Sequence, residues 1–289
     1  MLDIIKNKSE DIISLLENVG YFLVNEQKKH SYKTFKKEDG SLLTELDLAS
    51  EMLIKAELES LFGNIKVLSE ENAQDENKLI ANERFCFLLD PIDGTKNFDK
   101  GKDFTINLAF CVDKKPVISF IHNPCQKTIL FGDENSAFKK TDGKITKLTC
   151  NSATNGNNEN IFRKKHLKIA IGTHNFENKD FKFAIVKHMQ NCGYTFDEND
   201  FKAFSAMEKL LSFVNNEVDA FWSSNVCKDW DILPALPILK AIKASYHTDN
   251  PTLFNNKNFD SGTFIVACNK DLLNNLVNLS KEKSVQKLI

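Results

Sequence analysis

The sequence predicts a layered protein with an α+β first half and an α/β second half. Three observations lead there. Apolar residues recur at helical spacing near the N-terminus, at Ile5, Ile12, Leu15, Leu16, Val19 and Leu23. A meander of short apolar runs then follows, from Phe85 to Leu148. Beyond a stretch rich in Asn, Ser, Thr and Gly, Asn151–Glu159, the pattern changes to strand and helix in alternation. That stretch is the expected junction between residues 1–150 and 151–289.

Taken in order, a helix is expected from Ile4 to Phe22, with one buried face. Thr44 followed by Asp47 is a helix start of the Ser/Thr-x-x-acid kind, and Gly63 ends that helix. Ile65–Leu68 is a short strand running into Ser69-Glu70-Glu71, and Asn72–Glu83 a loop with a helical turn. The run Phe85–Leu89 is a buried strand that should stop at Asp90, because Pro91 has no N–H for ladder pairing. Phe104–Val112, Val117–His122, Thr128–Phe131, Ala137–Lys139 and Ile145–Leu148 complete the meander. The second half should hold strand Leu167–Ile171, helix Asp180–Cys192, strand Tyr194–Phe196 and helix Phe204–Val214. Strand Val218–Trp222, helix Ile232–Ile242, strand Thr263–Ala267 and a helix from Lys270 follow.

Composition narrows the function. The chain has 289 residues, 42% hydrophobic and 27% charged, with a formal net charge of −2. That balance carries no polyanion-binding surface and argues against a nucleic-acid partner. Arg84 and Arg163 are the only arginines, so lysine, metal ions or backbone N–H groups must hold any anion. The seven cysteines are scattered without a Cys-x-x-Cys pair, which fits small core residues in a reducing cytoplasm. The N-terminus lacks a signal-peptide pattern, and no segment approaches the roughly 20 apolar residues of a membrane span. A soluble, cytoplasmic protein without a membrane partner is expected.

The chemistry gathers at strand ends. Phe85–Phe98 delivers Asp90 and Asp93 beside Gly94-Thr95, a pair that can turn sharply and open a helix. Two carboxylates next to free backbone N–H groups suit hard divalent cations and a phosphate. Glu70 and Asp231 also follow an apolar run or a large aromatic. Asp231, in Lys-Asp-Trp-Asp-Ile-Leu-Pro, could equally be a helix N-cap, with Pro234 in the first turn. Four carboxylates together repel, and two or three Mg²⁺ ions would remove that repulsion. Metal-assisted phosphoryl transfer to water is the chemistry this implies.

Glu70-Glu71, Asp90-Pro91-Ile92-Asp93-Gly94-Thr95 and Trp230-Asp231, with Thr44-x-x-Asp47, together resemble the inositol monophosphatase superfamily of Mg²⁺-dependent, Li⁺-sensitive phosphatases. The resemblance implies an αβαβα sandwich, with the metal site in residues 1–150 and completed by residues 151–289, and a homodimer. It implies that Glu70, Asp90 and the Ile92 carbonyl bind one Mg²⁺, and Asp90, Asp93 and Asp231 a second, with Glu70 helping to hold a third. The N–H groups of Gly94 and Thr95 would take phosphate oxygens, and Asp47 and the Thr95 hydroxyl would orient or deprotonate the attacking water. Thr44 and Asp47 would also serve as a plain helix cap.

Two details point to the substrate. Lys96 after Thr95, with the strand Phe104-Thr105-Ile106-Asn107-Leu108-Ala109, resembles the 3′(2′),5′-bisphosphate nucleotidase branch, which converts adenosine 3′,5′-bisphosphate to AMP and phosphate. Ser205-Ala206-Met207-Glu208-Lys209 loosely matches that branch's Ser-x-x-Lys helix, so Lys209 would meet a second phosphate or stand as a solvated lysine. Gly172-Thr173-His174-Asn175 keeps the branch's His and lacks its Arg, and Leu233-Pro234 and Ala244-Ser245 replace small residues. The expected substrate is a small phosphomonoester, a bisphosphonucleotide ahead of inositol 1-phosphate or a sugar phosphate. A silent phosphoester-binding regulator is the alternative outside enzymes.

Overall fold

The computed structural model describes residues 1–38, 40–149, 166–205, 207–223, 227–254 and 259–288. The expected junction Asn151–Glu159 lies outside these residues. Two helices, α1 (Leu2–Asn7) and α2 (Ser9–Lys29), open the chain. Helix α2 runs seven residues past its expected end at Phe22, because Asn25–Lys29 is rich in Glu, Gln and Lys, which favour a helix. A hairpin of exposed β1 (Thr34–Lys36) and half-buried β2 (Leu42–Thr44) leads into α3 (Glu45–Phe62).

The expected meander is a seven-stranded sheet in the order β3 to β9. Its strands are β3 (Lys66–Ser69), β4 (Phe85–Asp93), β5 (Thr105–Val112), β6 (Lys115–Asn123), β7 (Thr128–Asp133), β8 (Ala137–Thr141) and β9 (Lys144–Lys147). β3 pairs parallel with β4 across the turn-and-helix connection α4 (Gln74–Ile80), and every later pair is antiparallel. Alternation divides the strands between two cores. Phe87 and Leu89 of β4, with Ile106, Leu108 and Phe110 of β5, pack under α2 and α3. Cys86, Leu88, Ala109 and Cys111 face the other way, into a core shared with the second half.

That second half holds a five-stranded sheet ordered β11-β10-β12-β14-β13. Its strands are β10 (Ile169–Gly172), β11 (Phe201–Phe204), β12 (Ala220–Ser223), β13 (Ser245–Thr248) and β14 (Phe264–Ala267). β10 is parallel to both its neighbours. The chain reaches β11 through α6 (Thr173–Phe176) and α7 (Lys179–Asn191), then returns through α8 (Glu208–Val214) to β12 on the other side of β10. Right-handed crossovers in opposite directions put α7 and α8 on opposite faces. Ring contacts agree: Trp222 meets Phe181 of α7, and Phe221 meets Phe213 of α8. Helices α9 (Asp229–Ile232) and α10 (Ala235–Ala241) pack on the first sheet, and α11 (Lys270–Ser280) joins α7 outside the second. The layers are therefore α, β, α, β, α, as expected. No helix among the described residues is long and apolar enough to cross a membrane.

Four local expectations change. Strand β4 passes Asp90 and continues to Asp93, because Pro91 sits in an irregularity of the β4–β5 ladder where no N–H is required. Tyr194–Phe196 contributes only an isolated bridge at Thr195, since Asp197 and Asp200 cap a 3₁₀ turn there, and the edge strand is Phe201–Phe204. Phe204 therefore belongs to a strand, and the helix expected from it starts at Glu208. The helix expected over Ile232–Ile242 is two pieces, α9 and α10, divided at Leu233-Pro234, where proline cannot donate to a continuous ladder.

Candidate active site

The site begins with a matter of parity. Residues three apart on a regular strand point to opposite faces. Here Asp90 pairs with Asn107 and Asp93 with Thr105, so three steps on β4 oppose two on β5. The extra residue is a β-bulge, and it turns both aspartates to the face between the two sheets. The intervening Ile92 is buried in the other core, beneath the helices. Thr105 Oγ1 and Asn107 Nδ2 each donate to Asp93 Oδ2 at 3.1 Å, and the Met207 N–H, from the second half, donates at 2.8 Å. The Thr-x-Asn pair read as a mark of substrate preference thus holds a carboxylate in place. After Asp93, Gly94 adopts φ +91°, and a Cβ there would stand 3.0 Å from the Ser205 side chain. Glycine meets both demands at this turn into α5 (Thr95–Asp99).

Thr44 caps α3, accepting from Leu46 N and Asp47 N, and Asp47 returns the capping box by accepting from Thr44 N at 2.7 Å. The other oxygen of Asp47 accepts from Thr95 Oγ1 at 3.3 Å, which also approaches the Ile92 carbonyl at 3.2 Å. The cap and the site are one arrangement. Burial, above all, raises the Asp47 carboxyl to about 6, against hydrogen bonds from Thr44 that lower it.

Glu70 follows β3, whose end is clamped by Asn77 through Ser69 N at 3.1 Å and Ser69 O at 2.7 Å. Lys37, just past β1, pairs with Glu70 at 2.7 Å and Glu71 at 2.8 Å. Burial raises Glu71 to about 7, with the Glu70 charge adding to it. Asp231 is the third residue of α9 and not its N-cap, because the helix starts two residues earlier, at Asp229. Its Oδ2 accepts from the Lys228 N–H at 2.8 Å.

Oxygen atoms of Glu70, Asp90 and Asp231 lie within 4.8 Å of one another. Burial pushes the Asp90 and Asp231 carboxyls well above the usual carboxylate range, and neighbouring charges, Glu70 and Asp93 among them, push them further. Burial also raises Asp93, partly offset by its hydrogen bonds and by the charge of Lys209. Asp90 Oδ1 accepts from Ile92 N at 3.1 Å, whereas the buried Asp90 Oδ2 has no hydrogen-bond partner. A buried orphan oxygen among raised carboxyls is what a hard cation satisfies, so these residues fit Mg²⁺.

Nearly all the residues expected from sequence line one cavity of about 300 Å³. Glu70, Asp90, Ile92, Asp93 and Asp231 line it, together with Gly94, Thr95, Lys96 and Lys209. Lys96 is exposed, while Lys209 is 2% exposed. Asp47 joins through Thr95. Sequence reasoning missed Lys37, one of several lysines in a polar stretch with nothing to distinguish it. It missed Ser223 as well, and gave no role to Asn175 and Ser205, which it quoted only within motifs; all three line the cavity at or just beyond strand ends of the second sheet.

Comparison with known proteins bears on this geometry. The model of the inositol monophosphatase family matches residues 12–280. A 3′(2′),5′-bisphosphate nucleotidase CysQ of Haemophilus influenzae is 35% identical over 138 residues, 47% of this chain and 48% of that protein. The chain thus spans about half the length of that curated relative. Inositol monophosphatase 1 of Saccharomyces cerevisiae is 24% identical over 78% of this chain and 75% of its own. The solved structure of an IMPase of Thermotoga maritima superposes with a TM-score of 0.71 at 20% identity, covering 98% of this chain and 100% of its own. The chain belongs to the inositol monophosphatase family, whose members here are phosphatases.

Proposed function

We propose that this protein is a Mg²⁺-dependent phosphomonoesterase that acts on a 3′(2′),5′-bisphosphonucleotide. The observation that carries the reading is the group Glu70, Asp90 and Asp231, with ligand atoms within 4.8 Å and an orphan oxygen on Asp90. Glu70, Asp90, the Ile92 carbonyl, Asp93 and Asp231 would hold two or three Mg²⁺ ions. A solved IMPase/NADP phosphatase, 18% identical, carries Mg²⁺ and phosphate, which accords with this. When bound, the metal supplies Lewis acidity that neutralises charge on the phosphoryl oxygens.

The chain's own residues do the rest. The N–H groups of Gly94 and Thr95 receive phosphate oxygens at the turn after β4. Asp47 accepts from the Thr95 hydroxyl, so that hydroxyl's oxygen is free to hold the attacking water, and the raised Asp47 carboxyl is suited to take up its proton. Lys209, buried beside Asp93, and Lys96, at the mouth, bring positive charge for a second phosphate. The alignment with CysQ supports the nucleotide, and the longer alignment with the yeast protein keeps inositol 1-phosphate as the second reading.

Phosphate release should be measured with adenosine 3′,5′-bisphosphate, inositol 1-phosphate and fructose 1,6-bisphosphate, with Mg²⁺, with EDTA and with added Li⁺. The expected result is Mg²⁺-dependent, Li⁺-inhibited release, fastest from the bisphosphonucleotide. Equal release in EDTA would sink the metal reading; preference for inositol 1-phosphate would reassign the substrate.

A further inference from the structure

Trp230 stands between two acids, Asp229 and Asp231, on α9. Two steps along a helix turn a side chain through about 200°, so the two carboxylates leave on nearly opposite sides. Asp231 joins Glu70 and Asp90. The carboxylate of Asp229, a residue 1% exposed, is taken up elsewhere: Oδ2 accepts from the Phe254 N–H at 2.7 Å and Oδ1 from the Ser261 hydroxyl at 3.0 Å. It ties α9 to a separate part of the chain.

Helix α9 needs such a tie, for it is four residues long, a single turn. One turn does not form on its own, because fixing its backbone costs more than its hydrogen bonding returns. Its direction, and with it that of Asp231, is therefore set from outside. Asp231 Oδ2 accepts from the Lys228 N–H, and Lys228 forms an antiparallel bridge with Asp260. On either side of that bridge, Asp229 N donates to Phe259 O at 2.9 Å and Ser261 N to Cys227 O at 3.0 Å. Trp230 rests on Phe259 with ring centroids 5.8 Å apart, and Phe259 on Phe254 at 4.9 Å.

The partner residues are themselves constrained. Phe254 and Phe259 have φ of +52° and +59°, a left-handed backbone that bulky side chains rarely adopt. Such residues persist only where their surroundings over-determine them. Asp229 bonds both, the Phe254 N–H through its carboxylate and the Phe259 carbonyl through its own N–H.

We propose that Asp229 is a positioning residue for metal binding: it fixes the turn that carries Asp231 and stays outside the ligand set. The inference rests on the Mg²⁺-dependent phosphomonoesterase reading and deepens it. Of the two acids beside Trp230, one offers an oxygen to the cation and the other holds the first in place. Groups that orient a metal ligand typically carry roughly 10- to 100-fold of the affinity.

The test is Mg²⁺ binding by isothermal titration calorimetry, with Mg²⁺-dependent phosphate release beside it, in wild type, Asp229→Ala, Asp229→Asn and Ser261→Ala. The substrate is whichever of adenosine 3′,5′-bisphosphate and inositol 1-phosphate the wild type hydrolyses faster. In Asp229→Ala, the apparent Kd for Mg²⁺ and the Mg²⁺ concentration for half-maximal release should each rise roughly 10-fold, while KM at saturating Mg²⁺ stays within about twofold. Asp229→Asn keeps an oxygen for the Phe254 N–H and offers its amide to the Ser261 hydroxyl, which can turn to accept it; its Kd should stay within about threefold of wild type. Should the alanine form not fold, Ser261→Ala removes one of the two bonds and should raise the Kd roughly 2- to 5-fold. An unchanged Kd in Asp229→Ala, or in Ser261→Ala where that form stands in for it, would overturn the assignment of Asp229. So would an asparagine form as impaired as the alanine form, or a KM that rises as far as the Kd. A wild type that neither binds Mg²⁺ nor releases phosphate would instead overturn the phosphomonoesterase reading itself.

Discussion

Replacing a metal ligand should make this protein more stable when metal is removed. The perturbation is Asp90→Asn. Asp90 Oδ1 accepts from Ile92 N at 3.1 Å, a bond the asparagine oxygen keeps. Oδ2 is buried without a partner in a carboxyl that groups with Glu70 and Asp231, and an amide nitrogen in its place replaces an acceptor by a donor. At 4.8 Å, the widest separation in the group, each pair of unit charges costs about 3.5 kcal/mol at an effective dielectric near 20. Two such pairs amount to about 7 kcal/mol with every carboxyl charged, and the cluster lowers this by keeping protons on its raised carboxyls. A net gain of about 1–3 kcal/mol is expected, or roughly 2–10 °C in Tm for a chain of this size.

The sign follows from linkage. A carboxyl whose folded pKa is raised binds protons more readily in the folded state, so its contribution weakens as pH rises above the ordinary carboxylate range. The gain should therefore be present at pH 8 and shrink toward pH 5. The assay is thermal unfolding of wild type and Asp90→Asn in EDTA and in excess Mg²⁺. Wild type should rise in Tm with Mg²⁺ by linkage to binding, and the variant should respond little. A variant less stable than wild type in EDTA at pH 8, or one that gains as much from Mg²⁺, would refute the reasoning.

Three further outcomes follow from the geometry. Gly94→Ala meets the cost of φ +91°, about 1–2 kcal/mol, and a Cβ 3.0 Å from Ser205; Tm and kcat/KM should both fall, and an unchanged melting curve would contradict this. Thr44→Ala removes the cap of α3 and should cost about 1 kcal/mol in urea unfolding, with Thr44→Ser recovering most of it. His122 is 3% exposed, and burial lowers it from 6.5 to about 4. Its folded pKa is depressed, so the unfolded chain takes the proton first. Stability is then full above about pH 6.5 and is lost, by about 3 kcal/mol, as pH falls toward 4. The urea midpoint of His122→Gln should slope less over that window, and identical slopes would count against the assignment.

What could be read from the chain divides along physical lines. Glu70, Asp90 and Asp93 were legible because a hydrophobic run that gives way to acids marks the far end of a buried strand, and Asp231 because it follows a large aromatic at the start of a helix. Gly94 was legible because few other residues can make that turn. Lys37 was not, since its role depends on a hairpin folding back over Glu70 and Glu71, and nothing local separates it from Lys33 or Lys36. Phe201–Phe204 was absorbed into a neighbouring helix because four residues carry too little periodicity to outweigh it.

The bulge between Asp90 and Asp93 makes the site depend on a count. Pro91 and Ile92 can change identity as long as two residues remain there, since each substitution leaves both acids on the inner face. Removing a single residue erases the bulge instead: the two acids would stand two apart on a regular strand, still on the inner face, but without the irregular backbone that buries Ile92 beneath the helices. What a deletion across 91–92 takes from the active centre is therefore the backbone between its acids, Ile92 carbonyl included, and not the side on which those acids stand.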